Sequence, residues 1–290
     1  MTERLHDLVA AELAEPVDAR VAAMAAALAR LYPDAARAVL FYGSCLREAQ
    51  LEGLMLDFYL IVSDYRAAFG RGWFAFANRI LPPNVFPFEH EGLAAKYAVL
   101  SEADFARLNG PEAGDVSVWA RFAQPSRLVW ASDEAARETA IAAVARAAPT
   151  LLGFARPMAE EGGGPLAIWR RGFELTYRSE LRAERGGRSG SIVNTDPARY
   201  ERFGAAALPL AVSPPDAARR WRRFRRRGKA LTIARLAKAT TTYAGGVDYI
   251  AWKINRHAGT KIVVKPWQRR WPILGGLVML PRLLRRGAIR

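Results

Sequence analysis

The chain has 290 residues, 51% hydrophobic and 24% charged, with a formal net charge of +15; it is long enough for two compact units plus an appendage and can bury a sizeable core. Its single cysteine, Cys45, excludes an internal disulfide framework and a thiolate zinc site, and the separated His6, His90 and His257 exclude a histidine metal cluster. No stretch approaches 18 apolar residues, which excludes a simple bilayer-spanning helix, although a carboxylate-held magnesium ion is compatible with this composition.

The opening MTERLHDLVAAELAEP carries Glu3, Asp7 and Glu12 and has the pattern of neither a signal nor a transit peptide. Residues 17–31 repeat apolar side chains at helical spacing and predict an amphipathic helix, closed by Tyr32-Pro33-Asp34. AVLFYGS predicts a short strand ending at Gly43-Ser44, LREAQLEG a helical turn, and GLMLDFYLIVSD a second strand with one aspartate, Asp57, inside it. RAAFGRGWFAFANRIL predicts a helix stopped by Pro82-Pro83-Asn84. GLAAKYAVLS predicts a strand, and Ser101 is placed to cap a helix with acids in its first turn. WARFAQPSRLVW and DEAARETAIAAVARAA read as further helices, and EEGGGP and RGGRSGS as loops.

The expected fold class is therefore mixed α/β (α+β). Residues 1–130 are expected to form an α/β unit, 131–211 a helical unit, and 212–290 a basic tail that starts at the linker VSPPD. Charge marks that last boundary: residues 215–290 hold 20 Lys/Arg against Asp216 and Asp248, while the rest of the chain is close to neutral. Such asymmetry points to an anionic partner, a membrane surface or a nucleic acid. RRWRRFRRRGK interleaves Trp221 and Phe224 with Arg222, Arg223, Arg225 and Arg226. Near the end, Trp267, Arg269, Arg270 and Trp271 flank a short apolar run, the pattern of an interfacial membrane segment. The apolar run favours a membrane over nucleic acid, and with it a peripheral location on the cytoplasmic face of the inner membrane.

An ionised carboxylate inside an apolar strand costs several kcal/mol unless something offsets it. Asp57 either faces solvent on an alternating strand or holds something positive. In nucleotidyltransferases of the polymerase-β type, a Gly-Ser turn offers backbone N–H groups and a hydroxyl to a triphosphate, and the next strand supplies carboxylates to magnesium. Here Tyr42-Gly43-Ser44 precedes Asp57 by about that distance, but Tyr59 stands where a second strand aspartate is usual. Asp64, Glu89 and Glu91 are the candidates for a second metal carboxylate. Lys96, alone among apolar neighbours, is a candidate for neutralising phosphate charge. Trp73, Trp119 and Trp169 read as core residues and Cys45 as a small packed one.

FYGSCL followed by MLDFYLIV, the asparagine-bearing WFAFANRILPPNVF, AAKYAVLSEADF, Trp119 with PSRLVW, and TYRSELRAE resemble, in order over about residues 38–205, the mitochondrial-type phosphatidate cytidylyltransferases of the translocator assembly and maintenance family. A single strand aspartate fits that family. Cys45, the alanine in KYAV, Ser179-Glu180, and Asn84 and Val85 in place of histidines depart from its pattern. The resemblance implies a magnesium-dependent transfer from CTP to phosphatidate, giving CDP-diacylglycerol. It also implies Gly43, Ser44 and Tyr42 at the nucleotide, Asp57 at the metal, Lys96 as a catalytic cation, and Tyr177, Glu180 and Arg182 lining the site between the domains. Two alternatives stay open: transfer of a nucleotide to RNA or protein, and a non-catalytic membrane-associated scaffold on a degenerate transferase fold.

Overall fold

A computed structural model describes residues 4–47, 51–179, 188–242 and 265–266. Five strands form one mixed sheet: β1 (Ala36–Tyr42), β2 (Met55–Val62), β3 (Asn84–His90), β4 (Leu93–Ser101) and β5 (Ser126–Ala131), in the order β3-β4-β2-β1-β5. The β2/β4 pair is parallel and the other three pairs are antiparallel. Alternation along the strands gives each face its own core, because successive side chains point to opposite sides. Leu56, Phe58, Leu60 and Val62 face the smaller core, which helix α2 (Ala19–Arg30) covers with Val21, Met24 and Leu28. Tyr59 and Ile61 face the larger core with Leu40 and Leu100.

That larger core is roofed by helices: α1 (Leu5–Leu13), α5 (Glu102–Asn109), α6 (Trp119–Phe122), α7 (Glu134–Ala145), α8 (Ala147–Ala155), α9 (Pro165–Ser179), α10 (Arg188–Thr195), α11 (Pro197–Ala207) and α12 (Ala217–Thr242). Trp119 and Trp169 are fully buried, as expected. The roof is tied to the N-terminus by a buried ion pair. The Arg199 guanidinium on α11 donates to both carboxylate oxygens of Glu12 and to the Ala123 carbonyl. Burial alone would lower the pKa of Arg199, but the Glu12 carboxylate holds it above its usual range.

Several expected elements take a different form. The helix expected over 66–81 is two helices, α3 (Tyr65–Phe69) and α4 (Trp73–Ile80), broken where Gly70 adopts φ +66°. NVFPFEH, read as part of no element, is β3, an edge strand that tolerates Pro87 because only one side of it is paired. PSRLVW was expected to be helical, but β5 replaces all but its first residue, with Leu128 buried opposite Leu40. Residues 160–164 of EEGGGP are a loop, as expected, with Pro165 opening α9, whereas Arg188–Ser191 of RGGRSGS, also expected to be a loop, belong to α10.

Trp221 and Phe224 are the largest departure. Both are buried, and the Trp221 indole N–H donates 2.9 Å to the Phe154 carbonyl. Phe224 sits edge-on to Phe154 at 5.1 Å between ring centroids. These two aromatics belong to the core that Leu5 opens, so the boundary at 212 does not interrupt the packing and neither ring is available to a lipid surface. Arg222, Arg223, Arg225 and Arg226 stand exposed on the opposite side of the same helix. Gly228 permits the crossing, since a Cβ there would lie 2.2 Å from the Ser179 carbonyl oxygen at the end of α9.

Candidate functional site

Strand β1 ends at Tyr42, the chain turns at Gly43 with φ +98°, and Ser44–Arg47 make one turn of 3-10 helix. The ladder then sets a row across the sheet: Tyr42 lies opposite Asp57, and Asp57 lies beside Lys96 in the parallel β2/β4 register. Residues paired in this way share a face, so all three side chains point toward the helical roof. The sheet thus joins three of the residues singled out above, although they are 54 positions apart from first to last.

The Lys96 ammonium lies 2.9 Å from the Asp57 carboxylate, and both side chains are about three-quarters buried, at 25% and 23% exposure. A lysine is thus the nearby positive group that the buried carboxylate requires. Gly43 leans on the same carboxylate, and a Cβ built there would meet Asp57 Oδ2 at 3.4 Å. Glycine therefore keeps the space over Asp57 open at the point where exposed Gly43 and Ser44 present their backbone. The Tyr42 ring packs against Tyr59 at 5.2 Å and Phe122 at 6.0 Å. Burial, with the carboxylate of Asp57 beside it, pushes the Tyr42 phenol well above its usual range, while a hydrogen bond from Arg121 pulls the other way. Arg121, on α6, is a site neighbour the sequence did not flag, since WARF reads as plain helix and nothing in its spacing places it beside Tyr42.

The other candidates lie elsewhere. Asp64 caps α3, accepting from the Arg66 and Ala67 amides at 2.7 and 2.9 Å, past the far end of β2 and roughly 15 Å or more from Asp57 along the strand. Glu89 is exposed on the edge strand opposite Ala94, and Glu91 sits in the β3–β4 turn with φ +49°. Among the described residues no three histidine, cysteine or acidic side chains group as metal ligands. Tyr177 is half-buried on α9 against the larger core. Glu180, Arg182, Trp267, Arg269, Arg270 and Trp271 lie outside the described residues. Cys45 is buried with its thiol 3.6 Å from the Met55 carbonyl, the small packed residue expected. A shallow cleft of about 740 Å³ between residues 156–165 and 205–209 contains none of the candidate residues.

The hard oxygen donor and the space that Gly43 preserves suit one magnesium ion of the kind held by a single carboxylate and a nucleotide's phosphates. They do not make a two-metal site from the described residues. No described helix is long and apolar enough to cross a membrane. The chain matches no protein-family model, and a search of curated proteins finds no significant relative.

Proposed function

We propose that this chain is a nucleotidyltransferase that moves the cytidylyl group of CTP onto phosphatidate at an anionic membrane surface. The observation that carries this reading is the row in which Gly43, Asp57 and Lys96 meet on one face of the sheet. Backbone N–H groups at Gly43 and Ser44, with the Ser44 hydroxyl, suit the β- and γ-phosphates. Lys96 can exchange its bond to Asp57 for one to a phosphate oxygen, leaving Asp57 to hold magnesium. Magnesium there would neutralise charge on the triphosphate oxygens. A phosphatidate oxygen attacks the α-phosphorus, the bond to the β-phosphate breaks, and pyrophosphate leaves with the electron pair. The choice of CTP and phosphatidate is supported by the order of sequence elements over residues 38–205, and the choice of a lipid surface by the exposed arginines of α12.

The test is the product. Incubating the full chain with CTP, magnesium and phosphatidate in mixed micelles is expected to give CDP-diacylglycerol by mass spectrometry, lost in Asp57→Ala. Formation of the product by both proteins, or by neither, contradicts the reading. A non-catalytic scaffold is favoured by one observation, the single carboxylate held by a lysine with no three-ligand group among the described residues. Absence of magnesium-dependent nucleotide binding would support that alternative.

A further inference from the structure

The broken helix after β2 holds the least expected surface of the described chain. On α4, Trp73, Phe76 and Ile80 are 58%, 57% and 66% exposed, and they fall at helical spacing on one side. The opposite side is anchored. Asn78 is buried, donates 2.9 Å to the Val99 carbonyl of β4, and accepts from the Asn84 amide, while the Asn84 side chain donates 3.0 Å to the Phe74 carbonyl. The exposed apolar stripe is therefore held on a fixed support. Trp73 was expected in the core, yet its ring packs only partly, 6.0 Å from that of Phe76.

Charge within the segment that carries the stripe has one sign. Residues 65–83 contain Arg66, Arg71 and Arg79 and no acid, and all three arginines are exposed. Tryptophan, phenylalanine and isoleucine on one helix face with arginines around them form the composition of an interfacial helix on an anionic bilayer. The strongly basic helix is tethered to the same place. Arg235 on α12 donates 3.0 Å to the Pro82 carbonyl and pairs with Asp115 at 3.1 Å. Lys238 donates to the Leu81 and Pro83 carbonyls. The turn that ends α4 is thus bound to α12 one helical turn before Thr242, so α12 reaches the Ile80 end of the stripe.

We propose that the Trp73–Phe76–Ile80 face of α4 inserts into the interface of an anionic lipid bilayer and fixes how the body sits on the membrane. This deepens the membrane part of the proposed function and rests on that part alone, independent of nucleotidyl transfer. A contact on the body, set at the sheet's β3 edge, defines one orientation.

The test uses the full chain without nucleotide and vesicles of phosphatidylcholine with phosphatidylglycerol. At 1 M salt, where the screening length is about 3 Å and charge contacts fade, Trp73→Ser/Phe76→Ser/Ile80→Ser is expected to bind at least about tenfold more weakly than wild type. The control Leu210→Ser/Val212→Ser, which alters two exposed apolar residues elsewhere, is expected to bind as wild type. Equal vesicle binding by wild type and the triple variant overturns the α4 face and leaves the tail as the sole contact. Absence of any vesicle binding by wild type overturns the membrane reading and this face with it. An environment-sensitive dye on Phe76→Cys, in a Cys45→Ser background, is expected to shift to the blue only when vesicles are added. A dye already shifted without vesicles shows the face covered by the chain's own residues or a second copy, and overturns the proposal. Circular dichroism confirms that each variant is folded.

Discussion

Asp57 is tolerated inside an apolar strand because Lys96, the next residue across in the parallel ladder, places its ammonium 2.9 Å away. Gly43 is the other fixed point, since its φ of +98° puts any side chain in a left-handed conformation and against the same carboxylate. Gly43→Ala is expected to cost about 1–2 kcal/mol of stability and to weaken CTP binding beyond what the loss of stability explains. Calorimetry on the folded variant measures this, and wild-type affinity would show that the space over Asp57 is not used. Away from the site, Arg199→Met leaves Glu12 buried without its guanidinium and is expected to cost about 3 kcal/mol. A urea melt within a few tenths of a kcal/mol of wild type would show that water satisfies Glu12. The Gly-Ser turn and the lone aspartate were legible from residue type alone. The ion pair was not, because nothing in the spacing of Asp57 and Lys96 states that their strands are parallel and in register.

Element by element, legibility followed the strength of the local pattern. Strands β1, β2 and β4 are buried apolar runs and helix α2 is cleanly amphipathic, so each could be read directly. Strand β3 alternates half-buried Phe86 and Phe88 with exposed Pro87 and Glu89, and the proline hides an edge strand. Strand β5 follows a four-residue helix with only three residues between, too short a gap for periodicity to resolve. Helix α12 was read as a detached basic segment because arginines fill its first half, seven of the nine residues 219–227, yet Ala217, Trp221, Phe224 and Gly228 fall on one buried stripe. Trp221→Ala is therefore expected to cost about 3–5 kcal/mol. A loss under 1 kcal/mol would mean that α12 is docked only loosely.

Across the whole molecule, the sheet separates a small core under α2 from a large one under the helical roof, and the candidate row opens onto the large side. Helix α12 spans that side from the core at Trp221 to the sheet edge at Lys238, where burial, then repulsion from Arg235, pulls the lysine down to about 7. Arg235 is in turn paired with Asp115, whose carboxyl burial alone would raise but which Arg235 and Ser117 hold below its usual range. Between pH 7 and the ordinary lysine value of 10.5 the unfolded chain binds the Lys238 proton and the folded chain does not, so this residue makes stability rise with pH. Below pH 7 both states are protonated and its contribution to the slope vanishes. Lys238→Met removes this titration but also the hydrogen bonds to the Leu81 and Pro83 carbonyls, so the expected signature is in the slope: wild type gains stability relative to the variant as pH rises from 7 to 10. Parallel pH profiles for the two proteins would contradict this. The function proposed for the whole chain stands on the row of Gly43, Asp57 and Lys96, and titration calorimetry of CTP with and without magnesium tests that row most directly. Wild type is expected to bind CTP only with magnesium, with Asp57→Ala losing the magnesium dependence and Lys96→Met weakening binding about tenfold or more. CTP binding that is independent of magnesium and unchanged in both variants would show that this row is not the nucleotide site.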